Sequence, residues 1–152
     1  MLLSRWDSPS ARLRPMLLAL AVLAAVTAGC NNSPASPSTL VKFSQTDLVL
    51  GTGAEAVKGS LVTVNYTGWL YDAAKPEGKG TEFDTTIGGT PFTFTLGGGQ
   101  VIAGWEQGVP GMQVGGIRRL VIPASLAYGE IRNGPIPPNA PLVFEIQLEN
   151  VQ

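Results

Sequence analysis

The sequence predicts an α+β fold, in which one short helix packs against an antiparallel sheet of four to six strands. Several segments alternate apolar and polar residues, which is typical of strands that bury one face. One further segment repeats apolar residues at helical spacing. The 152-residue chain also contains 19 glycines and 12 prolines, so many tight turns are expected between these elements.

The alternation is clearest in residues 61–71 and 142–149. In the first segment Val62, Val64 and Tyr66 share one face. In the second, the core-facing residues are Leu142, Phe144, Ile146 and Leu148, and the water-facing ones are Val143, Glu145, Gln147 and Glu149. Residues 92–96 and 118–122 are two more candidate strands, and residues 48–50 are expected to form an edge piece.

The helix is predicted between residues 97 and 112. Its apolar face would hold Val101, Ile102, Trp105 and Val109, which fall at i, i+1, i+4 and i+8. Gly108 and Pro110 are expected to end it. Because Gly104 lowers helix propensity in the middle of the segment, tertiary packing must stabilise this helix.

Two polar segments are expected to lie at the surface. Residues 71–81 are longer and more polar than a tight hairpin needs, so they predict a solvated loop. Arg118 and Arg119 are adjacent in a candidate strand, where alternation directs only one of the two side chains outward.

The N-terminal residues 1–29 have the features of a secretory signal peptide. Three arginines are followed by an uncharged apolar run over residues 16–26, which is too short to span a bilayer, and then by the small residues Ala28 and Gly29. Cys30, the chain's single cysteine, comes next and resembles the lipidated cysteine of bacterial lipoproteins. The alternative is an ordinary secreted protein with a free thiol.

The organisation that follows is a leader, a tether and a domain. Residues 30–38 comprise the lipidated Cys30 and a linker of small, polar and proline residues. The domain is predicted to span residues 39–152. Without the leader, seven basic and ten acidic residues remain, for a net charge of −3. The expected location is a lipid anchor in the bacterial cell envelope, on the outer membrane facing the periplasm, with a soluble secreted form as the alternative.

Composition excludes several functional classes. The whole chain has a net charge of −1, which offers no electrostatic surface for nucleic acid. It has no histidine, so serine–histidine and cysteine–histidine mechanisms and histidine-containing metal sites are excluded, and no cofactor or metal is expected. The glycines of residues 51–56 fit a loose dinucleotide-binding pattern, but Lys58 and Gly59 leave no room for the helix it requires.

Aromatic residues within short ordered motifs are the most specific feature. The motifs are VNYTGWL at 64–70, FDTT at 83–86, PFTFTLG at 91–97, QVIAGWEQGV at 100–109, MQVGG at 112–116, LAYG at 126–129 and IPPNAPLVFE at 136–145. In this order and spacing the domain resembles the FKBP-type peptidyl-prolyl cis-trans isomerases, immunophilins that bind tacrolimus and rapamycin. The resemblance implies a curved antiparallel sheet of five to six strands wrapped on one short helix.

The resemblance also implies an apolar catalytic pocket. Its indole floor would be Trp105, and its polar rim would carry Asp84 and Tyr128, with the backbone N–H of Ile102 donating to a ligand carbonyl. The remaining implied residues are the walls Tyr66, Phe92, Val101, Ile102 and Phe144, the apolar rim residues Phe83 and Ile136, and a further pocket-side aromatic, Phe94. Gln100 stands where the family often has glutamate, and Ile87 lies in a shortened loop that is usually more polar.

The implied function is rotation of Xaa-Pro bonds in proline-containing, unfolded or flexible polypeptides of the envelope, with tacrolimus and rapamycin as further expected ligands. The alternatives are a catalytically weak FKBP-like chaperone or peptide-binding module, and a structural β-rich lipoprotein whose aromatics are only core. A monomer anchored through Cys30 is expected, because only a short linker separates that cysteine from the domain.

Overall fold

The alternating segments form a six-stranded antiparallel sheet in the computed structural model, which describes residues 40–152. Its strands are β1 (Ser44–Val49), β2 (Leu61–Tyr71), β3 (Lys79–Thr85), β4 (Phe92–Thr95), β5 (Ile117–Ile122) and β6 (Leu142–Val151), and its helix is α1 (Ala103–Gly108). The strand order is β1-β5-β6-β2-β3, and β4 also pairs with β2. The predicted α+β architecture is confirmed. The predictions for residues 1–29, for Cys30 and for the linker to residue 38 lie outside the described residues.

The core lies between α1 and the inner face of the sheet. Strand β6 supplies the completely buried Leu142, Ile146 and Leu148, as its alternation predicts. Val143 was expected to face water, and this prediction is wrong because Val143 is also completely buried. Its neighbours across the two ladders are Trp69 and Val121, so the outer face of β6 is covered at this point.

Helix α1 is shorter than its apolar spacing suggests. It begins only at Ala103, so Val101 and Ile102 precede it, while Trp105 lies inside it. A Cβ on Gly104 would lie 2.5 Å from Cγ2 of the buried Ile122 on β5. The glycine that lowers helix propensity therefore lets the helix approach the sheet closely, and packing stabilises the helix as predicted.

Residues 71–81 are more ordered than the predicted surface loop, and that prediction is wrong for residues 79–81, which begin β3. A short 3₁₀-helix at Pro76–Gly78 leads into this strand. The Lys79 ammonium lies 2.6 Å from the Glu145 carboxylate, and Arg119 lies 2.8 Å from the same carboxylate and 2.7 Å from that of Glu77. These ion pairs tie the segment to β5 and β6.

Strand β1 is an edge strand, as expected, but it begins at Ser44, four residues before the predicted edge piece. It is fixed to the core by Arg118 on β5, which is buried and pairs with Asp47 at 2.5 Å. Arg118 also donates to the Gly108 carbonyl at the end of α1, at 2.8 Å. Arg119 lies on the opposite face of β5, so the prediction that the two arginines diverge is confirmed.

No helix within residues 40–152 is long and apolar enough to cross a membrane. Over the same residues, no group of three or more histidine, cysteine, aspartate or glutamate side chains is arranged to hold a metal ion.

Candidate functional site

A cavity of about 330 Å³ opens beside the N-terminal end of α1. Strands β2, β3, β4 and β6 each contribute to its walls, together with the turn after the 3₁₀-helix at Ala124–Leu126. Its lining residues are Tyr66, Phe83, Asp84, Phe92, Gly99, Gln100, Val101, Ile102, Trp105, Tyr128 and Phe144. The lining is mostly aromatic and aliphatic, with few polar groups, which is typical of a binding site for an apolar ligand.

The register of the sheet brings distant residues together at this cavity. Tyr66 lies two residues before Gly68 on β2, and Gly68 pairs with Phe144 on β6 and with Asp84 on β3. Phe92 begins β4, which pairs with the first half of β2. Strands β3, β4 and β6 therefore all border β2 beside the cavity, and α1 closes the space from the other side.

Trp105 is the centre of the aromatic cluster. It is 4% exposed, and the rings of Tyr66 and Phe144 meet it edge to face, with centroids 5.0 and 5.3 Å away. The ring of Phe92 also meets it edge to face, with a longer centroid distance of 6.3 Å. Such pairs stabilise by about 0.5–1.5 kcal/mol beyond the burial of their area. The floor of the cavity is therefore a buried indole surrounded by aromatic rings.

The polar side of the cavity is organised by one hydrogen bond. The Tyr66 hydroxyl donates to Oδ2 of Asp84 at 2.5 Å. Burial raises the pKa of Tyr66 well above its ordinary value, and the hydrogen bond to Asp84 and the charge of that carboxylate raise it further. Tyr66 therefore stays protonated as a donor, and its ring is fixed against Trp105.

This raised pKa predicts a loss of stability in alkali. In the unfolded chain the Tyr66 hydroxyl ionises with a pKa of about 10, whereas at that pH the folded chain keeps this hydroxyl protonated. The free energy of unfolding therefore falls as the pH rises above that value, because the unfolded state then binds fewer protons. Urea unfolding should show that the free energy of unfolding declines less between about pH 9 and 11 for Tyr66→Phe than for the parent chain. Equal declines in the two proteins would contradict this assignment.

The backbone offers a free donor on the cavity wall. Ile102 has extended φ and ψ angles of −60° and 151° just before α1. Its carbonyl accepts from the N–H of Trp105 at 2.9 Å, but its own N–H has no backbone acceptor within residues 40–152. A ligand carbonyl in the cavity can accept this hydrogen bond. The buried Nε1–H of Trp105 is also without a partner in the described part of the chain.

Glu106 positions the loop that forms one wall, a role that was not predicted. Its two carboxylate oxygens accept from the N–H groups of Gly97 at 2.5 Å and Gly99 at 3.0 Å. Gln100 adds a third bond, because its side-chain oxygen accepts from the N–H of Thr95 at 2.7 Å. The hydrogen bonds from Gly97 and Gly99 to the Glu106 carboxylate are here called the Glu106 clamp. The sequence signal for this clamp is an acidic residue in the first turn of a helix that follows a glycine-rich turn.

Loss of this clamp should reduce ligand binding more than it reduces stability. Glu106→Ala frees two loop N–H groups that are open to water, so we expect KM for a proline peptide to rise about five- to tenfold, which corresponds to the roughly 1 kcal/mol net value of a typical hydrogen bond. Glu106→Gln keeps one acceptor and should give an intermediate KM. Unchanged KM in both variants, with their folding verified by circular dichroism, would show that the clamp does not position the site.

Nine of the implied pocket residues line the cavity, and two do not. Phe94 is buried behind it, stacked on Phe92 with a centroid separation of 5.6 Å. Ile136 was expected on the rim, but it lies in the hydrophobic core and is 4% exposed. The backbone bonds between Asn133 and Ile136 close a tight turn, and the apolar side chain of Ile136 packs with the core cluster. Gly99 and Gln100 line the cavity without having been predicted to do so.

The chemistry available here is binding rather than bond making. The lining side chains include no serine, cysteine or lysine that could act as a nucleophile. They provide an apolar floor, one carboxylate, two phenol hydroxyls and a backbone donor. Such a cavity can hold an apolar ring and fix neighbouring carbonyl groups.

Comparison with known families and proteins gives consistent matches. Residues 53–149 match the family model described as FKBP-type peptidyl-prolyl cis-trans isomerase. An FK506-binding protein of Neisseria meningitidis serogroup B is 49% identical over 107 residues, which cover 69% of this chain and 92% of the relative. FK506-binding protein 1B of Neurospora crassa is 43% identical over 105 residues, covering 68% and 93% respectively.

Solved structures show the same fold. The crystal structure of AtFKBP13 matches with a TM-score of 0.62 and 39% identity, covering 72% of this chain and 93% of that protein. FkpA from Escherichia coli matches with a TM-score of 0.61 and 36% identity, covering 76% of this chain and 53% of FkpA.

Proposed function

The chain belongs to the FKBP-type peptidyl-prolyl cis-trans isomerases, and we propose that its cavity around Trp105 is where rotation about Xaa-Pro bonds is accelerated. The observation that carries this proposal is the buried indole of Trp105, met edge to face by Tyr66, Phe92 and Phe144. These rings form an apolar surface on which a pyrrolidine ring would pack.

The proposed mechanism breaks no covalent bond. Rotation about a prolyl bond is opposed by a barrier of about 18–20 kcal/mol, because twisting removes the amide resonance. In the twisted state the nitrogen becomes pyramidal and the carbonyl loses its conjugated polarity. A dry apolar cavity therefore favours this state over the planar, strongly dipolar ground state, and selective stabilisation of the twisted state lowers the barrier.

The polar groups act by orientation. The free N–H of Ile102 would donate to one carbonyl that flanks the proline, and the Tyr128 hydroxyl to the other. Asp84 acts through its hydrogen bond to Tyr66, which holds that ring against the floor and places a negative charge at the rim. Asp84 is not needed as a general base, because the reaction removes no proton.

The activity is tested with a short Phe-Pro peptide and the full chain. We expect a rate enhancement of cis-to-trans isomerisation that rapamycin abolishes. Relatives of this chain are named for binding FK506, a macrolide, and we infer that the cavity is where a macrolide would bind. Inhibition by rapamycin would therefore support catalysis in this cavity. No enhancement by folded protein would contradict the proposal and favour a peptide-binding module without turnover. Enhancement that persists at saturating rapamycin would move the activity away from this cavity.

We propose that Cys30 is acylated and anchors the enzyme in the bacterial cell envelope, where proline-containing segments of unfolded envelope proteins would be its substrates. The support is the sequence around Cys30, with a basic and apolar leader before it and a short polar linker after it. Labelling of growing cells with radioactive palmitate should mark the parent protein and not Cys30→Ser. Equal labelling of both proteins would exclude Cys30 as the acylated residue.

We propose in addition that the protein acts as a monomer. The linker between Cys30 and the domain has about eight residues, fewer than an isolated helix needs for stability. Sedimentation equilibrium of the detergent-solubilised chain should give the mass of one copy, and a mass of two copies would contradict the proposal.

A further inference from the structure

Asn133 and Gly134 are the only asparagine–glycine pair in the sequence, and they lie in the loop between Tyr128 and β6. Both residues are exposed. The backbone N–H groups of Asn133 and Ile136 donate to each other's carbonyls, at 3.0 and 2.9 Å. Gly134 follows with a φ of 53°, a conformation that glycine adopts without strain. The pair therefore forms part of a tight turn that is open to water.

The reactive groups of this pair are not engaged elsewhere. Within residues 40–152, the Gly134 N–H has no backbone acceptor, and the side-chain amide of Asn133 makes no hydrogen bond. The amide of Asn65, by contrast, donates to Glu149 at 3.0 Å and accepts from Thr86 at 3.2 Å. A Cβ added to Gly134 would meet no atom within 4 Å, so the space around this amide is open.

This arrangement permits an intramolecular reaction that needs only water. Hydroxide removes the proton from the Gly134 nitrogen, which then attacks Cγ of Asn133 and closes a five-membered ring. The Cγ–Nδ2 bond breaks, and Nδ2 takes a proton from water and leaves as ammonia. Water then opens the resulting succinimide at either carbonyl, to give aspartate or isoaspartate. Both reacting atoms belong to adjacent residues, which raises their effective concentration, and glycine has no side chain that hinders the attack.

Isoaspartate changes the turn, because its main chain runs through the former side chain and gains one backbone atom. The two bonds between Asn133 and Ile136 fix the length of this turn. Ile136 is 4% exposed and packs in the core cluster, to which the partly buried Tyr128 also belongs. The same loop is closed by the N–H of Asn139, which donates to the Gly129 carbonyl at 2.7 Å. A longer turn therefore disturbs the segment that carries Tyr128 on the cavity wall.

We propose that Asn133 is a site of spontaneous deamidation, and that its isoaspartyl product loosens this turn and lowers the activity of the cavity. The first part of this inference is independent of the proposed isomerase function, since it concerns the chemistry of the turn alone. The second part rests on the proposed function. Ageing of the protein would thus convert an active form into a less active one without any enzyme or oxidant.

The test follows the full chain in mild detergent during storage at neutral and at mildly alkaline pH. Peptide mapping by mass spectrometry locates each exchange of an amide for a carboxylate, and methylation by an isoaspartate-specific methyltransferase reports isoaspartate. Asn139 is the internal control, because it is also exposed but is followed by Ala140, whose Cβ hinders ring closure. Asn133→Gln removes the five-membered ring closure. Asn133→Asp adds the charge without the extra backbone atom.

We expect Asn133 to be converted to isoaspartate at a rate that rises with hydroxide concentration, while Asn139 stays intact. The aged parent protein should unfold at lower urea concentration and lose about tenfold in kcat/KM for a Phe-Pro peptide. Aged Asn133→Gln and fresh Asn133→Asp should match the fresh parent protein in both measurements.

An unmodified Asn133, or equal modification of Asn139, would overturn the deamidation site. Isoaspartyl protein with parental stability and turnover, or an equal loss in aged Asn133→Gln, would overturn the effect on the turn. Fresh parent protein that turns over no peptide, but still forms isoaspartate and loses stability on ageing, would instead refute the proposed catalysis.

Discussion

Gly68→Ala is expected to lower both stability and activity, because the new methyl group has no space beneath two rings of the site. A Cβ on Gly68 would lie 2.7 Å from Cζ of Phe83 and 2.8 Å from Cε1 of Phe144. Both rings line the cavity, and their centroids are 5.6 Å apart. Overpacking of this kind costs about 1–3 kcal/mol of the free energy of unfolding. Displacement of two wall residues should also lower kcat/KM for a Phe-Pro peptide about tenfold or more.

Gly89→Ala provides the matched control, since Gly89 lies on the exposed loop before β4. The nearest atom to its added Cβ would be the Thr86 carbonyl oxygen at 3.5 Å, an ordinary contact. Urea unfolding and peptide turnover of this control should match the parent protein. A Gly68→Ala protein with parental stability and turnover would show that the rings move aside without cost, and that their positions do not matter for catalysis.

Asp84→Ala is expected to reduce kcat/KM about ten- to a hundredfold and also to lower the free energy of unfolding, because the Tyr66 hydroxyl loses its acceptor. The carboxylate accepts the Tyr66 hydroxyl at 2.5 Å, and a hydrogen bond to a charged group is worth about 1.5–3 kcal/mol. Asp84 itself is exposed, so its removal leaves no buried cavity. Asp84→Asn should fall between the parent protein and the alanine variant, because it keeps a neutral acceptor.

Tyr66→Phe tests whether Asp84 acts through this hydrogen bond. If it does, the Tyr66→Phe and Asp84→Ala double variant should be no slower than the slower single variant. Glu82→Gln, a charge loss at another exposed position of β3, should leave turnover unchanged. Multiplicative losses in the double variant would contradict a shared role, and full activity of Asp84→Ala would remove Asp84 from the site.

The bounds of the strands were predictable where one face of the strand is buried and the other is exposed to solvent. Strand β2 has the predicted bounds because Val62 and Val64 alternate with polar residues along it. Alternation failed at Val143, where Trp69 and Val121 cover the outer face. It gave no signal for the start of β3, where Lys79 pairs with the carboxylate of Glu145, far away in the sequence. Long-range charge pairing leaves no local pattern to read.

The aromatic residues of the site were predictable as a set only through the resemblance to a known family. Local periodicity placed Tyr66 and Trp105 on a strand and a helix, but nothing local indicates that their rings lie 5.0 Å apart. Ile136 shows the limit of that transfer, since a tight turn places it in the core. The hydrogen bonds from Gly97 and Gly99 to Glu106 were missed, although an acidic residue in the first helical turn after a glycine-rich turn was the local signal for them.

The most direct measurement of the central claim combines catalysis and site occupancy in one nuclear magnetic resonance experiment. A Phe-Pro peptide is added to the ¹⁵N-labelled chain, and exchange between its cis and trans forms is followed together with the Trp105 indole N–H resonance. We expect exchange to accelerate, and the Trp105 resonance to shift with the same dependence on peptide concentration. Accelerated exchange with an unmoved Trp105 resonance, or a shifted resonance without acceleration, would contradict catalysis on the Trp105 floor.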